Sequence, residues 1–118
     1  MNGFLNLYKP KGVSSARVLN AVKRSLKGET VGHMGTLDPL ADGVLPVAIG
    51  KSTRLFDYLL DKNKEYVATV AFGFSTDSYD LEGEITQRSD VLPSDAELEA
   101  ACKKLTGDIM QIPPIYSA

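Results

Sequence analysis

Gly43-Val44-Leu45-Pro46-Val47-Ala48-Ile49-Gly50 is an uninterrupted uncharged run framed by two glycines. Its length and continuous apolarity are those of a β-strand buried on both faces rather than of a surface strand, which would alternate. A two-sided strand needs neighbours, and the chain offers them on either side. Upstream, Glu29 to Asp42 has no helical or alternating pattern and contains Gly32, Gly35 and Pro39, so it reads as a loop. Before it, Ser14 or Ser15 is placed to cap a helix whose Val18, Leu19, Val22 and Leu26 recur at helical spacing. Gly28 stops that helix, and Lys23, Arg24 and Lys27 stand near the negative end of its dipole. Gly3 to Tyr8 is a short apolar strand that runs into the turn Lys9-Pro10-Lys11-Gly12.

Downstream, Ser52 or Thr53 is placed to cap a short helix with Leu55, Phe56, Leu59 and Leu60 on one side. Lys64 to Phe74 alternates, with Tyr66, Ala68, Val70, Phe72 and Phe74 on one face, and predicts the clearest strand of the chain. Gly73 to Gly83 is a polar turn, and Glu84 to Gln87 a brief strand. Ser94 and Glu97 form a capping box for a helix whose stripe of Leu98, Ala101, Cys102 and Leu105 places Cys102 in a core. Gly107 ends this helix, and Asp108 to Ile112 is a last strand before Pro113-Pro114. Strands interleaved irregularly with helices predict an α+β domain with a mixed, largely antiparallel sheet and flanking helices.

At 118 residues, 43% of them hydrophobic, the chain suits one compact domain. No stretch approaches the roughly 20 apolar residues of a membrane helix, so a cytoplasmic, non-membrane protein is expected. The single cysteine excludes an internal disulfide, and nothing suggests structural zinc. Net charge is −2. Its distribution is uneven: Lys9, Lys11, Arg17, Lys23, Arg24, Lys27, Lys51 and Arg54 face only Glu29, Asp38, Asp42 and Asp57 in residues 1 to 60. Such asymmetry fits either a solvated surface or a basic face that meets a polyanion.

The loop from Val31 to Asp42 holds the chemistry. Gly32 and Gly35 let a ligand approach the main chain, and Pro39 biases Asp38 toward an extended conformation. A carboxylate on such a loop beside a buried strand is placed to react, although Asp38-Pro39 and Asp42-Gly43 are also ordinary turn dipeptides. His33, the only histidine, lies five residues before Asp38. One histidine and scattered acids do not make a metal ligand set. Gly50-Lys51-Ser52 ends like a phosphate-binding loop, but the required glycine five residues earlier is Leu45. Asp77, Asp80, Glu82 and Glu84 do not have calcium-loop spacing and read as a solvated turn.

The run from Gly32-His33-Met34-Gly35-Thr36-Leu37-Asp38-Pro39 to Val47 resembles the signature loop of TruB-type pseudouridine synthases, enzymes that convert uridine 55 in the T arm of tRNA. Lys9-Pro10-Lys11-Gly12-Val13-Ser14-Ser15, Lys64-Glu65-Tyr66, Thr76-Asp77-Ser78-Tyr79-Asp80 through Gly83, and Gln111-Ile112-Pro113-Pro114-Ile115-Tyr116-Ser117-Ala118 match the family in the same order. The resemblance spans the chain and implies that residues 1–118 are the N-terminal part of the pseudouridine synthase catalytic domain. It implies Asp38 as catalytic nucleophile, Tyr66 as the aromatic packed on the target base, and His33 as a loop residue that holds flipped RNA. It also implies tRNA as partner, a monomer with no protein partner, no cofactor and no metal. The active-site Arg that pairs with the nucleophile in the family, and the C-terminal RNA-binding domain, are not found among these residues. The isolated chain is therefore expected to be inactive or nearly so. The competing reading is an RNA-binding or tRNA-folding module with a uridine pocket and no catalysis.

Overall fold

The computed structural model describes residues 1–59 and 63–115, arranged as two compact units, Met1–Glu65 and Tyr66–Ala118. In the first unit, β1 (Gly3–Lys9), β2 (Val31–His33) and β3 (Gly43–Ile49) form an antiparallel sheet of order β1-β3-β2. The apolar run is the central strand, as its pattern required. Leu45, Val47, Ala48 and Ile49 are buried, while Val44 at the loop end is exposed.

Helix α1 (Ser15–Ser25) lies on one face of this sheet. Its Leu19 packs with Val31 and Val47, and Leu5, Leu7 and Val22 close around them. Burying a leucine of this kind stabilises by about 1.5–3 kcal/mol. Of the two candidate caps, Ser14 is the one used, accepting the Arg17 amide at 3.1 Å. That leaves the Ser15 hydroxyl free for another task.

Strand β2 corrects the expectation that residues 29 to 42 are all loop. Val31 pairs with Ile49, Gly32 with Ala48 and His33 with Val47. Three residues with a central glycine carry no readable period, so the strand exists because β3 offers an edge. It ends for an equally local reason. The Pro46 carbonyl accepts the Met34 amide at 2.8 Å, so Pro46 faces β2, and without an N–H it cannot continue the ladder. The chain leaves the sheet there as the Asp38 loop.

After β3, Gly50–Leu55 forms a 3-10 helix that passes into the short helix α2 (Phe56–Leu59). No side chain caps it, contrary to the expectation for Ser52 or Thr53; Thr53 instead donates to the Gly50 carbonyl at 2.9 Å. Leu60, expected on the apolar side of this helix, lies outside the described residues, as do Tyr116, Ser117 and Ala118.

In the second unit, β4 (Phe74–Thr76) and β5 (Ile85–Arg88) form an antiparallel hairpin with an irregularity at Ser75/Thr76. Helix α3 (Asp95–Lys104) begins at Ser94, which accepts the Glu97 amide at 3.2 Å. Three expectations fail here. Lys64 to Gly73 is not a strand: alternation marks a segment suited to a sheet, but a strand also needs a ladder partner, and the described residues before Phe74 pair with none. Asp108 to Ile112 is likewise outside any strand. Cys102 is exposed rather than core, because a helical stripe reports a face suited to burial and not what covers it. The α+β class holds, and every described ladder is antiparallel.

Candidate active site on the Asp38 loop

Asp38 is exposed, and its carboxylate makes no hydrogen bond or ion pair among the described residues. Its backbone is the opposite, fixed on both sides. On the N-terminal side, the buried Ser15 hydroxyl donates to the Leu37 carbonyl and accepts the Leu37 amide, both at 2.9 Å. On the C-terminal side, the Pro39 carbonyl accepts the Gly12 amide at 2.6 Å and the Lys9 ammonium at 3.4 Å. The Asp38 carbonyl itself accepts the Ala41 amide at 2.9 Å and closes a turn with Pro39 second. Asp38-Pro39 is thus a turn dipeptide, but the turn bond runs through the main chain and leaves the carboxylate available.

Lys9 is fully buried at the end of β1. Its three N–H donors go to the carbonyls of Pro10 at 2.8 Å, Val13 at 2.7 Å and Pro39. A buried ammonium needs compensation for its lost hydration, and three aligned carbonyl dipoles supply it. The Lys-Pro turn and the Asp38 turn are thereby held around one charge. Period-2 alternation already put Lys9 in phase with Leu5 and Leu7 on the core side. That phase was the signal for its burial.

At the exit of the loop, the Tyr8 hydroxyl donates to an Asp42 carboxylate oxygen. This bond to an acceptor anion, with the nearby negative charge, raises the Tyr8 pKa above its ordinary value. Neither residue carried a distinguishing mark in the sequence.

His33 corrects the expectation of a loop residue: it ends β2, half-buried, in the core-facing phase of Val47. Its Nδ1 meets the Gly35 carbonyl. A carbonyl only accepts, so Nδ1 carries the proton and Nε2 remains for another partner. Asp38 and His33 belong to the first unit. Tyr66 belongs to the second, 63% exposed and outside any strand.

The second unit contains another constrained turn. The Asp80 carboxylate accepts the Ser78 hydroxyl at 2.6 Å and the Glu82 amide at 2.9 Å, which hold its pKa below the ordinary carboxylate value. Asp77 accepts the Glu84 amide at 3.0 Å. These acids brace the turn rather than surround an ion, and among the described residues no group of three or more His, Cys, Asp or Glu is arranged to hold a metal. No described helix is long and apolar enough to cross a membrane.

The model of the TruB family pseudouridylate synthase (N terminal domain) matches residues 23–118. This chain belongs to the TruB family. It is 45% identical over 99% of its length to the putative tRNA pseudouridine synthase B of Rickettsia prowazekii, covering 68% of that protein. The tRNA pseudouridine synthase B of Rickettsia africae is 44% identical, with 34% of it covered, and that of Francisella tularensis subsp. tularensis 48% identical, with 40% covered. The chain thus spans little more than a third of these two TruB relatives.

Proposed function

We propose that the chain is the nucleophile-bearing part of a cytoplasmic tRNA pseudouridine synthase that converts uridine 55 of the T arm, with Asp38 as nucleophile. The observation that carries this reading is the pairing of a rigid backbone with an unpartnered carboxylate at Asp38. A covalent catalyst gains from such placement, since the reacting group loses little freedom on attack. The family and the relatives' names support tRNA as the substrate.

Isomerisation breaks the bond between uracil N1 and ribose C1′, turns the ring, and forms a bond from C5 to C1′ while the C5 proton is lost and N1 gains one. Substrate and product have the same atoms, so no oxidant, reductant or group donor is consumed. Asp38 assists by attack on C1′ as the glycosidic bond breaks, or on C6 of the ring. The base must first leave its stack. Tyr66 then packs on it, and His33 Nε2 holds the displaced RNA. Residues 1–118 form the N-terminal part of the catalytic domain, acting as a monomer.

The test is tritium release from C5-labelled uridine in a T-arm RNA, comparing a protein of the relatives' full length that contains this segment with its Asp38→Asn variant. Release by the parent alone is expected. Release by both removes Asp38 from the role, and binding without release by either favours an RNA-binding module.

A further inference from the structure

We infer that the open face of the three-stranded sheet is a docking platform for unpaired RNA bases, with Phe4 and Tyr8 as its stacking surfaces. The inference rests on the RNA reading above and places a second contact outside the Asp38 loop.

The β1–β3 register pairs Phe4 with Ala48, Asn6 with Pro46 and Tyr8 with Val44, on the face away from Leu5, Leu7 and α1. Phe56, which follows the 3-10 helix, covers only one end of that face. Its ring stands 2.9 Å from where a Cβ of Gly32 would be, and Ala48 beside Gly32 is fully buried. The remainder is open: Phe4 is 47%, Tyr8 65% and Val44 62% exposed. A solvated strand face is normally polar. Here it shows two aromatic rings with an amide between them.

Four residues of strand separate the rings by about 13 Å, room for a short stretch of extended single strand. Exposed aromatics on an open antiparallel sheet are a recurring way to bind unpaired bases, because every base has a stacking face. The Tyr8 bond to Asp42 holds that ring at the rim of the Asp38 loop and lowers the cost of ordering it on binding. Asn6 lies between the rings, with an amide suited to base edges.

Charge selects nucleic acid over an apolar protein segment as the occupant. Lys11 follows Tyr8 in the next turn. At the other end, the Lys51 amide donates to the Asn2 side chain at 2.7 Å, which sets Lys51 beside the start of β1. Lys51, Arg54 and Asn2 line an open depression of about 460 Å³ together with Glu29, whose carboxylate is paired with the Met1 ammonium at 3.0 Å. None of the cations Lys11, Lys51 and Arg54 has an ion pair among the described residues. Unpaired cations at both ends of an aromatic strand suit phosphates flanking stacked bases.

The test is fluorescence anisotropy with a labelled seven-nucleotide single-stranded RNA and a duplex of the same length, on the full chain. Tyr8→Ala and Phe4→Ala are each expected to weaken single-strand binding about 5- to 100-fold and to leave duplex binding within about twofold. Tyr8→Phe keeps the ring, and is expected to stay within about twofold of the parent. Should an alanine variant fold poorly, amide shifts of the parent titrated with the single strand are expected to move at Phe4, Asn6, Tyr8 and Val44. Parent affinity in both alanine variants, shifts confined to the Asp38 loop, or self-association that buries this face would each overturn the inference alone. Failure of the parent to bind any RNA would overturn it together with the RNA reading of the chain.

Discussion

Ser15 grips Leu37 twice, donating to its carbonyl and accepting from its amide through one hydroxyl at 2.9 Å each. The bond spans the fold from the first turn of α1 to the residue before Asp38. Replacing Ser15 with Ala leaves both Leu37 groups without their partner in a site where the serine is 3% exposed. A loss of about 1–3 kcal/mol in unfolding free energy is expected, against about 1 kcal/mol for Ser14→Ala, which removes only a helix cap. Denaturant titration measures both. Hydrogen exchange separates them, because only the Ser15 change should speed exchange at Leu37.

Lys9 predicts a larger effect. Lys9→Met keeps the length and apolar stem of the side chain but leaves the carbonyls of Pro10, Val13 and Pro39 without their donor. We expect a loss of about 2–4 kcal/mol. Because Pro39 follows Asp38, exchange at Ala41, whose amide binds the Asp38 carbonyl, should accelerate as well. A Lys9→Met protein with parent stability would show that the carbonyls rehydrate without cost, and that Lys9 does not hold the loop.

Much of this was legible in the sequence, and the remainder was not for identifiable reasons. The central strand, α1 and α3 announce themselves because apolar pattern and caps are local properties. Strand β2 does not, since its pairing is dictated by the edge of β3 and its end by Pro46. Lys64 to Gly73 has the pattern of a strand without a described partner, so the pattern overstated it. At the site, Asp38 was marked by its glycines and proline. Of the groups that hold it, Lys9 was marked only by its phase with Leu5 and Leu7, which gives its burial but not its partners, and Ser15 not at all, because a serine hydroxyl looks like a surface group until the chain brings Leu37 to it.

The Tyr8–Asp42 bond predicts a pH dependence. The folded pKa of Tyr8 lies above its ordinary value of 10.0, chiefly through the hydrogen bond to Asp42. The neutral phenol is thus favoured by folding. Its contribution is complete below about pH 10 and is lost as pH rises through the higher folded value. Asp42→Ala should return the Tyr8 titration toward 10.0. Ultraviolet absorbance, with Tyr8→Phe subtracted to isolate this phenol from the other tyrosines, reads the shift. Identical titration curves for the parent and Asp42→Ala would mean that the bond is not made in solution.

Gly32 and Phe56 predict a coupled pair. Gly32 lies in β2 with Ala48 opposite, and a Cβ there would stand 2.9 Å from Phe56 Cζ, 3.0 Å from Cε2 and 3.7 Å from Thr53 Cγ2. The first distance is closer than carbon atoms tolerate and the second is tighter than most contacts, so the ring must shift by a few tenths of an ångström. Gly32→Ala is expected to cost about 1–3 kcal/mol by overpacking. Phe56→Leu removes the colliding edge at its own cost in lost contact. In the double variant the two costs should not add, with a coupling of about 0.5 kcal/mol or more in the direction of rescue. Additive costs in denaturant titrations would mean that the ring already has room to turn aside, and that the small residue in β2 is required for something other than Phe56.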